Sequence, residues 1–145
     1  MKCSSITDIG VNLTNDRFNK DLADTLHRGL EVGVYRHIIT GTSLQSSQHA
    51  LELSLDDTLP CERFATAGFH PHIASENNPE SWQQLAQLWQ HAKVVAIGET
   101  GLDSTRNCST PKQQPDSSDH NLQAPMELQL TLFLHDRDAA NYLFK

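Results

Sequence analysis

VVAIGETGLD, residues 94–103, is an apolar run too short for a helix, and it leads into a carboxylate and a glycine-broken loop. Its valines and isoleucine predict a strand over Lys93–Gly98 that presents Glu99 at its carboxyl end. Barrel and open α/β enzymes keep their chemistry at this end of the strands, because the loops there vary while the strands fix positions. We therefore interpret Glu99 as part of a functional site.

Three other predicted strands also lead into polar residues. They are Ile6–Val11 before Asn12, Phe64–Phe69 before His70-Pro71-His72, and Leu130–Leu134 before His135-Asp136-Arg137-Asp138. Oxygen and imidazole ligands thus recur at equivalent positions of successive strands. This recurrence indicates one site assembled from distant parts of the chain.

Helical patterns separate these strands. We predict helices over Asp16–Val32, over Leu44–Leu55 with Ser43 as its cap, and from Asn78-Pro79 through Trp89, with a further strand at Val34–Thr40. This alternation predicts parallel strands with helical crossovers, as in a doubly wound sheet or a TIM barrel. The sequence has no Gly-rich phosphate loop after any of the strands, and this favours the barrel.

The length limits how much of a barrel the chain can form. A complete barrel has eight strands and typically about 250 residues, whereas the chain has 145 residues. We expect a single, incomplete α/β domain over residues 1–145, a partial TIM (β/α) barrel with about five of the eight βα units. Residues 104–129 are expected to form an irregular segment or a broken crossover helix, because Pro115 and Pro125 would each cost roughly 3 kcal/mol inside a helix.

Composition restricts the classes of function. A net charge of −7 argues against a broad basic surface for nucleic acid, but it is compatible with a small metal-centred nuclease site. Cys3, Cys61 and Cys108 are odd in number and widely spaced, as expected for reduced thiols in the cytoplasm. The first residues do not favour a secretory signal, and no apolar run approaches about 18 residues, so we expect a cytoplasmic protein without a membrane partner.

The residues after the strands suggest their own chemistry. Glu99 at a strand end can bind divalent cations, and His135 is either a metal ligand or a hydrogen-bonded histidine at the end of a core strand. His70 and His72 could bind metal, donate hydrogen bonds to a phosphate, or satisfy loop carbonyls. Arg137 beside such a site suits bidentate phosphate binding, although pairing with neighbouring charges is the default for a surface arginine.

Together these motifs resemble a known family. They are Asp8–Thr14, Ile39–Thr42, Ala67–His72, Val94–Asp103 and Phe133–Asp138. In this order and spacing they are similar to the amino-terminal half of the TatD deoxyribonucleases, with the poorest agreement between Lys112 and Gln129. The resemblance implies a metal-dependent hydrolase of the amidohydrolase-like TIM-barrel superfamily, with 3′-to-5′ exonuclease action on single-stranded DNA.

The resemblance also implies roles for individual residues. Glu99 and His135 would be metal ligands, and His70 and His72 would line the substrate and phosphate site. Asn12 stands where many relatives have the second histidine of a His-x-His pair, so it offers a weak amide ligand or a hydrogen bond. The implied cofactor is a divalent cation, with Mg²⁺ ahead of Mn²⁺ and Zn²⁺, and the implied partner is single-stranded DNA, with RNA as an alternative.

Two departures from the family pattern bear on activity. Asp136 replaces the cysteine of a His-Cys-Arg-Asp motif. The family's later metal-ligand histidine and its catalytic aspartate belong to a carboxy-terminal half that these residues do not include. We therefore assign no catalytic residue within the chain and expect it, as a truncated protein, to have little or no nuclease activity.

Two other interpretations stay open. The first is a non-catalytic decayed fragment, or a partial barrel that associates with another chain through its open edge, because exposed strand edges and apolar faces favour association. The second is a barrel hydrolase acting on a small amide or lactone, which follows from superfamily chemistry alone. The His70-Pro71-His72 context favours the TatD-like reading over this last one.

Overall fold

The computed structural model describes residues 5–76, 78–103 and 129–138. Its strands are β1 (Ile6–Val11), β2 (Val34–Ile39), β3 (Glu62–Ala67), β4 (Val94–Asp103) and β5 (Thr131–Arg137). Its α-helices are α1 (Leu22–Glu31), α2 (Leu44–Leu55) and α3 (Pro79–Leu88), and short 3₁₀ segments span Asp16–Phe18 and Pro71–Glu76. Among these elements, strands and helices alternate as the sequence predicts.

The strands form one parallel sheet in the order β1-β2-β3-β4-β5. The sheet is strongly curled, and the ring of Phe133 on β5 therefore reaches the backbone of β1 at Gly10. A Cβ atom built on Gly10 of β1 would lie 3.0 Å from Cζ of Phe133 on β5. Such a curled parallel sheet has the shape of half a barrel, with helices on the outside and the inner face at the centre.

The core lies between the sheet and the helices. Ile39, Ala65 and Ile97 point from successive strands into this layer and are fully buried. They pack with Ala50 of α2 and Leu85 of α3. The predicted parallel α/β architecture is therefore confirmed. Packing of the helices against the outer face of the sheet holds the strands in position.

Helix caps agree with the sequence at two positions. Ser43 accepts a hydrogen bond from the backbone N–H of Ser46, and Asn78 does the same for Ser81. The Oγ atom of each partner serine in turn accepts a hydrogen bond from the backbone N–H of its cap residue. These reciprocal bonds fix where α2 and α3 begin.

The predicted helix over Asp16–Val32 is wrong in its first turn. A 3₁₀ segment occupies Asp16–Phe18, and α1 begins at Leu22. The side chain of Asn15 accepts a hydrogen bond from Arg17 N–H, so local side-chain bonds replace the first helical turn. Gly33, with φ of +96°, follows the end of the helical region.

Strand boundaries differ from the prediction in β3, β4 and β5. β3 ends at Ala67 rather than Phe69, because the chain turns away and His70 N–H donates to Thr42 O. β4 continues to Asp103 and β5 to Arg137, paired through Gly101↔His135 and Asp103↔Arg137. Glu99 and His135 therefore lie within strands and not beyond their ends.

Glycines explain the longer pairing of β4. Gly98 and Gly101 have φ of +136° and +135°, and a Cβ on either would collide with a carbonyl oxygen of β5. They let the two strands approach where side chains would separate them.

The expected irregular segment, apart from Gln129, lies outside the described residues. In the part of the chain that is described, no helix is long and apolar enough to cross a membrane.

Candidate metal centre

Glu99 is positioned by an irregularity in β4. The register with β5 shifts between Gly98 and Thr100, so Glu99 lies between the paired positions. Its backbone N–H instead donates to the carbonyl oxygen of Gly41, at 2.9 Å. The side chain is three-quarters buried, with 25% of it exposed. This shift places a carboxylate at the inner, carboxyl-terminal end of the sheet.

His135 on the neighbouring strand meets this carboxylate. Its Nδ1 atom lies 3.1 Å from Oε1 of Glu99. The contact requires the long form of both strands, because Gly101 pairs with His135 beyond the register shift. The structure thus brings together the two residues that the sequence predicts as metal ligands.

His70 and His72 enter from the loop after β3. His70 Nε2 lies 3.9 Å from Oε1 of Glu99, and the His70 ring centroid lies 4.5 Å from that of His135. The two loop histidines contact each other, with ring centroids 4.3 Å apart. The imidazoles of His70 and His135 therefore face one carboxylate, and the His72 ring contacts that of His70.

A backbone hydrogen bond distinguishes His70 from His135. His72 N–H donates to Nδ1 of His70 at 3.2 Å, so this nitrogen presents a lone pair. In a neutral imidazole the proton then resides on Nε2, the atom that points toward Glu99. A metal at Nε2 would require the opposite tautomer and the loss of this hydrogen bond. His70 is thus better suited to donate a hydrogen bond to an anion than to bind a cation.

These side chains line a cavity of about 340 Å³. Its lining residues are Thr42, His70, His72, Ile73, Glu99, His135 and Arg137. Arg137 brings a positive charge beside the Glu99–His135 pair, as a phosphate site needs. Asn12 is not among these residues and lines a neighbouring cleft instead.

Thr42 and Ile73 are the lining residues to which the sequence interpretation assigns no role. Thr42 occurs there only as the last residue of the Ile39–Thr42 motif. The available signal is its place directly after β2, the same relation to a strand that the histidine loop has to β3. Thr42 also accepts the His70 N–H bond through its carbonyl oxygen, at 2.9 Å, and so holds that loop in place.

The donor atoms fit a metal ion. Ligand atoms of His70, Glu99 and His135 all lie within 4.8 Å of one another. Two ligands that each bind one ion at about 2.1 Å lie at most about 4.2 Å apart. The distance of 3.1 Å from Glu99 Oε1 to His135 Nδ1 satisfies this limit. Glu99 and His135 can therefore hold a cation together with little rearrangement.

A curled parallel β/α sheet with imidazole and carboxylate ligands gathered at one end of its strands defines the class of metal-binding β/α-barrel proteins. Comparison with known proteins identifies the family within this class. The sequence model described as "TatD related DNase" matches residues 7–145, and the chain belongs to this family.

Relatives with assigned names agree with this membership. The protein named 3′-5′ ssDNA/RNA exonuclease TatD from Salmonella typhimurium is 44% identical over 132 residues, covering 91% of the chain and 50% of the relative. Its namesake from Erwinia tasmaniensis is 45% identical with the same coverage. The chain thus spans about half the length of the curated relatives it matches.

Solved structures support the fold. YjjV, a TatD homolog from Escherichia coli, matches with a TM-score of 0.87 at 27% identity, covering 99% of the chain and 54% of YjjV. A TatD family hydrolase from Entamoeba histolytica gives a TM-score of 0.89, also at 27% identity, covering 99% of the chain and 53% of the hydrolase. The predicted resemblance to the TatD family and the predicted partial barrel are both confirmed.

Proposed function

We propose that this chain forms the metal- and strand-binding part of a divalent-metal-dependent nuclease acting on single-stranded DNA or RNA. The contact of Glu99 Oε1 with His135 Nδ1, at 3.1 Å, supports this proposal most strongly. The family membership and the exonuclease names of the relatives agree with it. The 340 Å³ cavity beside this pair would receive the end of the strand.

Each side chain has a proposed part in binding. Glu99 and His135 would hold the cation, which supplies Lewis-acid polarisation of a phosphodiester and an acidified water. His70 would donate its Nε2 proton to a phosphate oxygen, and Arg137 would compensate phosphate charge at the cavity rim. His72 holds the His70 tautomer through its backbone N–H. Asn12 would contact the strand beyond this cavity.

The donor set bears on the identity of the ion. The resemblance implies Mg²⁺, which prefers an all-oxygen octahedral environment. One imidazole and one carboxylate suit Mn²⁺ or Zn²⁺ better, because nitrogen donors favour the later divalent metals. We therefore propose that Mn²⁺ or Zn²⁺ binds most tightly to the described site and that Mg²⁺ binds more weakly.

Hydrolysis by these 145 residues alone is expected to be slow or absent. The proposal rests on the family resemblance, in which further ligands belong to the part of the relatives that the chain does not match. Metal binding and strand binding are therefore the activities to measure first. A cytoplasmic location remains the prediction from the reduced-thiol pattern of the sequence.

A titration of single-stranded DNA, with and without a divalent cation, tests the proposal. We expect Mn²⁺ to tighten binding of a fluorescent oligonucleotide at least tenfold, and Glu99→Gln to remove this enhancement. The matched control is Glu31→Gln, an exposed glutamate at the end of α1, which should retain it. Binding that is independent of the cation, or a Glu99→Gln protein with unchanged enhancement, would contradict the proposal.

A second candidate function is association with another chain. Ile9 of β1 is 63% exposed and Leu134 of β5 is 38% exposed, and these strands are the outer ones of the sheet. Exposed apolar residues on outer strands favour pairing with a further strand. Light scattering after size exclusion measures this directly, and a stable monomer at tens of micromolar would count against it.

A further inference from the structure

A second cavity adjoins the metal centre and plays no part in the proposed cation binding. It encloses about 550 Å³, within the usual range for small-molecule sites. Its lining residues are Asn12, Thr14, Asn15, Asp16, Ser43, Gln45, Ser46, Gln48, His49 and Glu52. We call it the polar cleft. Thr42 lines the metal cavity and the next residue, Ser43, lines the polar cleft, so the two cavities lie on either side of one loop.

One wall of the polar cleft is a single face of α2. Gln45, Gln48, His49 and Glu52 follow the three- and four-residue spacing that places side chains on one side of a helix. Within residues 5–76, 78–103 and 129–138, these four side chains make no hydrogen bond or ion pair. In contrast, Ser43 and Ser46 are occupied by the reciprocal cap of the helix. This wall therefore has free donors and acceptors.

The opposite wall comes from the connection between β1 and α1. Asn12 accepts a hydrogen bond from Thr14, and Asn15 accepts one from Arg17 N–H, so each amide oxygen is held in place. Their side-chain NH₂ groups remain available as donors. Two polar walls from distant parts of the sequence thus face each other across a cavity.

The charges select the kind of ligand. Asp16 and Glu52 are acidic, and the residues that line the cleft include no lysine or arginine. A phosphate would be repelled there, since phosphate sites rely on arginine, lysine or backbone N–H groups. An uncharged group with N–H donors would fit, because carboxylates accept from exocyclic amino groups such as cytosine N4. The imidazole of His49 adds a flat ring on which a base can stack.

We propose that the polar cleft binds a base of the single strand, next to the nucleotide held at the metal centre, and that it prefers cytosine over thymine. The proposal rests on the proposed nuclease function, because that function brings a strand to the loop shared by both cavities. Cytosine offers an amino group at the position where thymine offers only a carbonyl oxygen. Asp16 and Glu52 can accept a hydrogen bond only from the former.

Binding of two matched oligonucleotides tests this inference. The probes are single strands of deoxycytidine and of deoxythymidine, of equal length and label, titrated with the full chain in the presence of Mn²⁺. We expect the cytosine strand to bind about fivefold tighter or more, the lower end of the discrimination that one good base contact provides. Glu52→Ala and Gln48→Ala should each reduce this ratio to less than about twofold, because both side chains are exposed and their removal leaves the fold intact.

The outcomes separate this inference from the function on which it rests. Glu31→Ala, at an exposed glutamate that does not line the cleft, should keep the full ratio of cytosine-strand to thymine-strand affinity. Equal binding of both strands, or an affinity ratio that is unchanged in Glu52→Ala and Gln48→Ala, would contradict base binding in the polar cleft. Neither result would contradict the proposed metal centre. If neither strand binds in the presence of Mn²⁺, the proposed function fails and this inference fails with it.

Discussion

Oε1 of Glu99 lies 3.1 Å from Nδ1 of His135, although 36 positions separate the two residues in the sequence. Parallel pairing of β4 with β5 produces this contact, since the register shift at Glu99 turns its carboxylate toward the partner strand. The backbone of β4 therefore determines where the carboxylate meets the imidazole.

His70 and His135 should differ in what they bind. The His72 N–H bond to Nδ1 assigns the proton of His70 to Nε2, whereas His135 faces Glu99 directly. We expect His135→Ala to weaken Mn²⁺ affinity by at least tenfold, and His70→Ala to weaken oligonucleotide affinity while changing Mn²⁺ affinity by less than about threefold. Calorimetry with the ion and fluorescence anisotropy with the strand measure the two affinities. Equal losses of Mn²⁺ affinity in the two variants would show that His70 binds the ion as His135 does.

Gly68 should control the position of Glu99. A Cβ on Gly68 would lie 2.6 to 2.9 Å from backbone atoms of Gly98, directly before the carboxylate residue. We expect Gly68→Ala to lower the free energy of unfolding by about 1–3 kcal/mol and to reduce Mn²⁺ affinity. Gly29→Ala is the matched control, because its nearest neighbour would be 3.8 Å away and alanine favours the α1 helix. A Gly68→Ala protein with unchanged free energy of unfolding and Mn²⁺ affinity would show that β3 and β4 tolerate wider spacing.

Arg63 should stabilise the connection between α2 and β3. It is 5% exposed, and its guanidinium donates hydrogen bonds to the carbonyl oxygens of Leu53, Asp56, Leu59, Pro60 and Cys61. Arg63→Met would leave these carbonyls unpaired and should lower the free energy of unfolding by about 2–4 kcal/mol in urea titrations. Arg28→Met, at an exposed side chain on α1, should cost less than about 0.5 kcal/mol. Similar losses in both variants would disprove the role given to Arg63.

His37 should make stability depend on pH. Burial lowers the pKa of this imidazole, with Asp8 opposing the shift and Arg63 adding to it. Both ring nitrogens are buried without a hydrogen-bond partner among the described residues. Below the ordinary pKa of 6.5, His37 binds a proton in the unfolded chain but stays neutral in the folded chain. The free energy of unfolding therefore falls as the pH decreases toward the lowered pKa of the folded state.

The corresponding experiment compares pH slopes. Wild-type stability measured in urea between pH 7.5 and 5 should fall more steeply than that of His37→Leu, by up to about 1.4 kcal/mol per pH unit. His27→Leu, at an exposed position of α1, should keep the wild-type slope. A slope in His37→Leu that matches the wild type would mean that His37 is protonated equally in both states.

Sequence patterns predicted the elements of the fold because each is determined locally. Apolar runs gave the strands, and Ser43 and Asn78 marked the starts of α2 and α3 through their own hydrogen bonds. The proximity of the candidate ligands could also be predicted, since parallel strands align their carboxyl ends. Glu99, His70, His72, His135 and Arg137 do line one cavity.

What the sequence could not give depends on contacts between distant segments. The sequence predicts that β4 ends at Gly98 and that a glycine-broken loop follows, whereas the positive φ angles of Gly98 and Gly101 allow β4 to continue against β5. The polar cleft was missed because its two walls lie on different elements, and each alone is an ordinary exposed surface. Asn12 was expected near the metal site, and only the three-dimensional structure shows that it lines the cleft.

The central claim is that Glu99 and His135 bind one cation together. Diffraction data from crystals grown with one equivalent of Zn²⁺, collected on both sides of the zinc absorption edge, locate the ion directly. We predict an anomalous peak in the 340 Å³ cavity, about 2.0–2.2 Å from a Glu99 carboxylate oxygen and from a His135 ring nitrogen. A zinc ion bound elsewhere, or bound to Glu99 with the His135 ring turned away, would contradict the account.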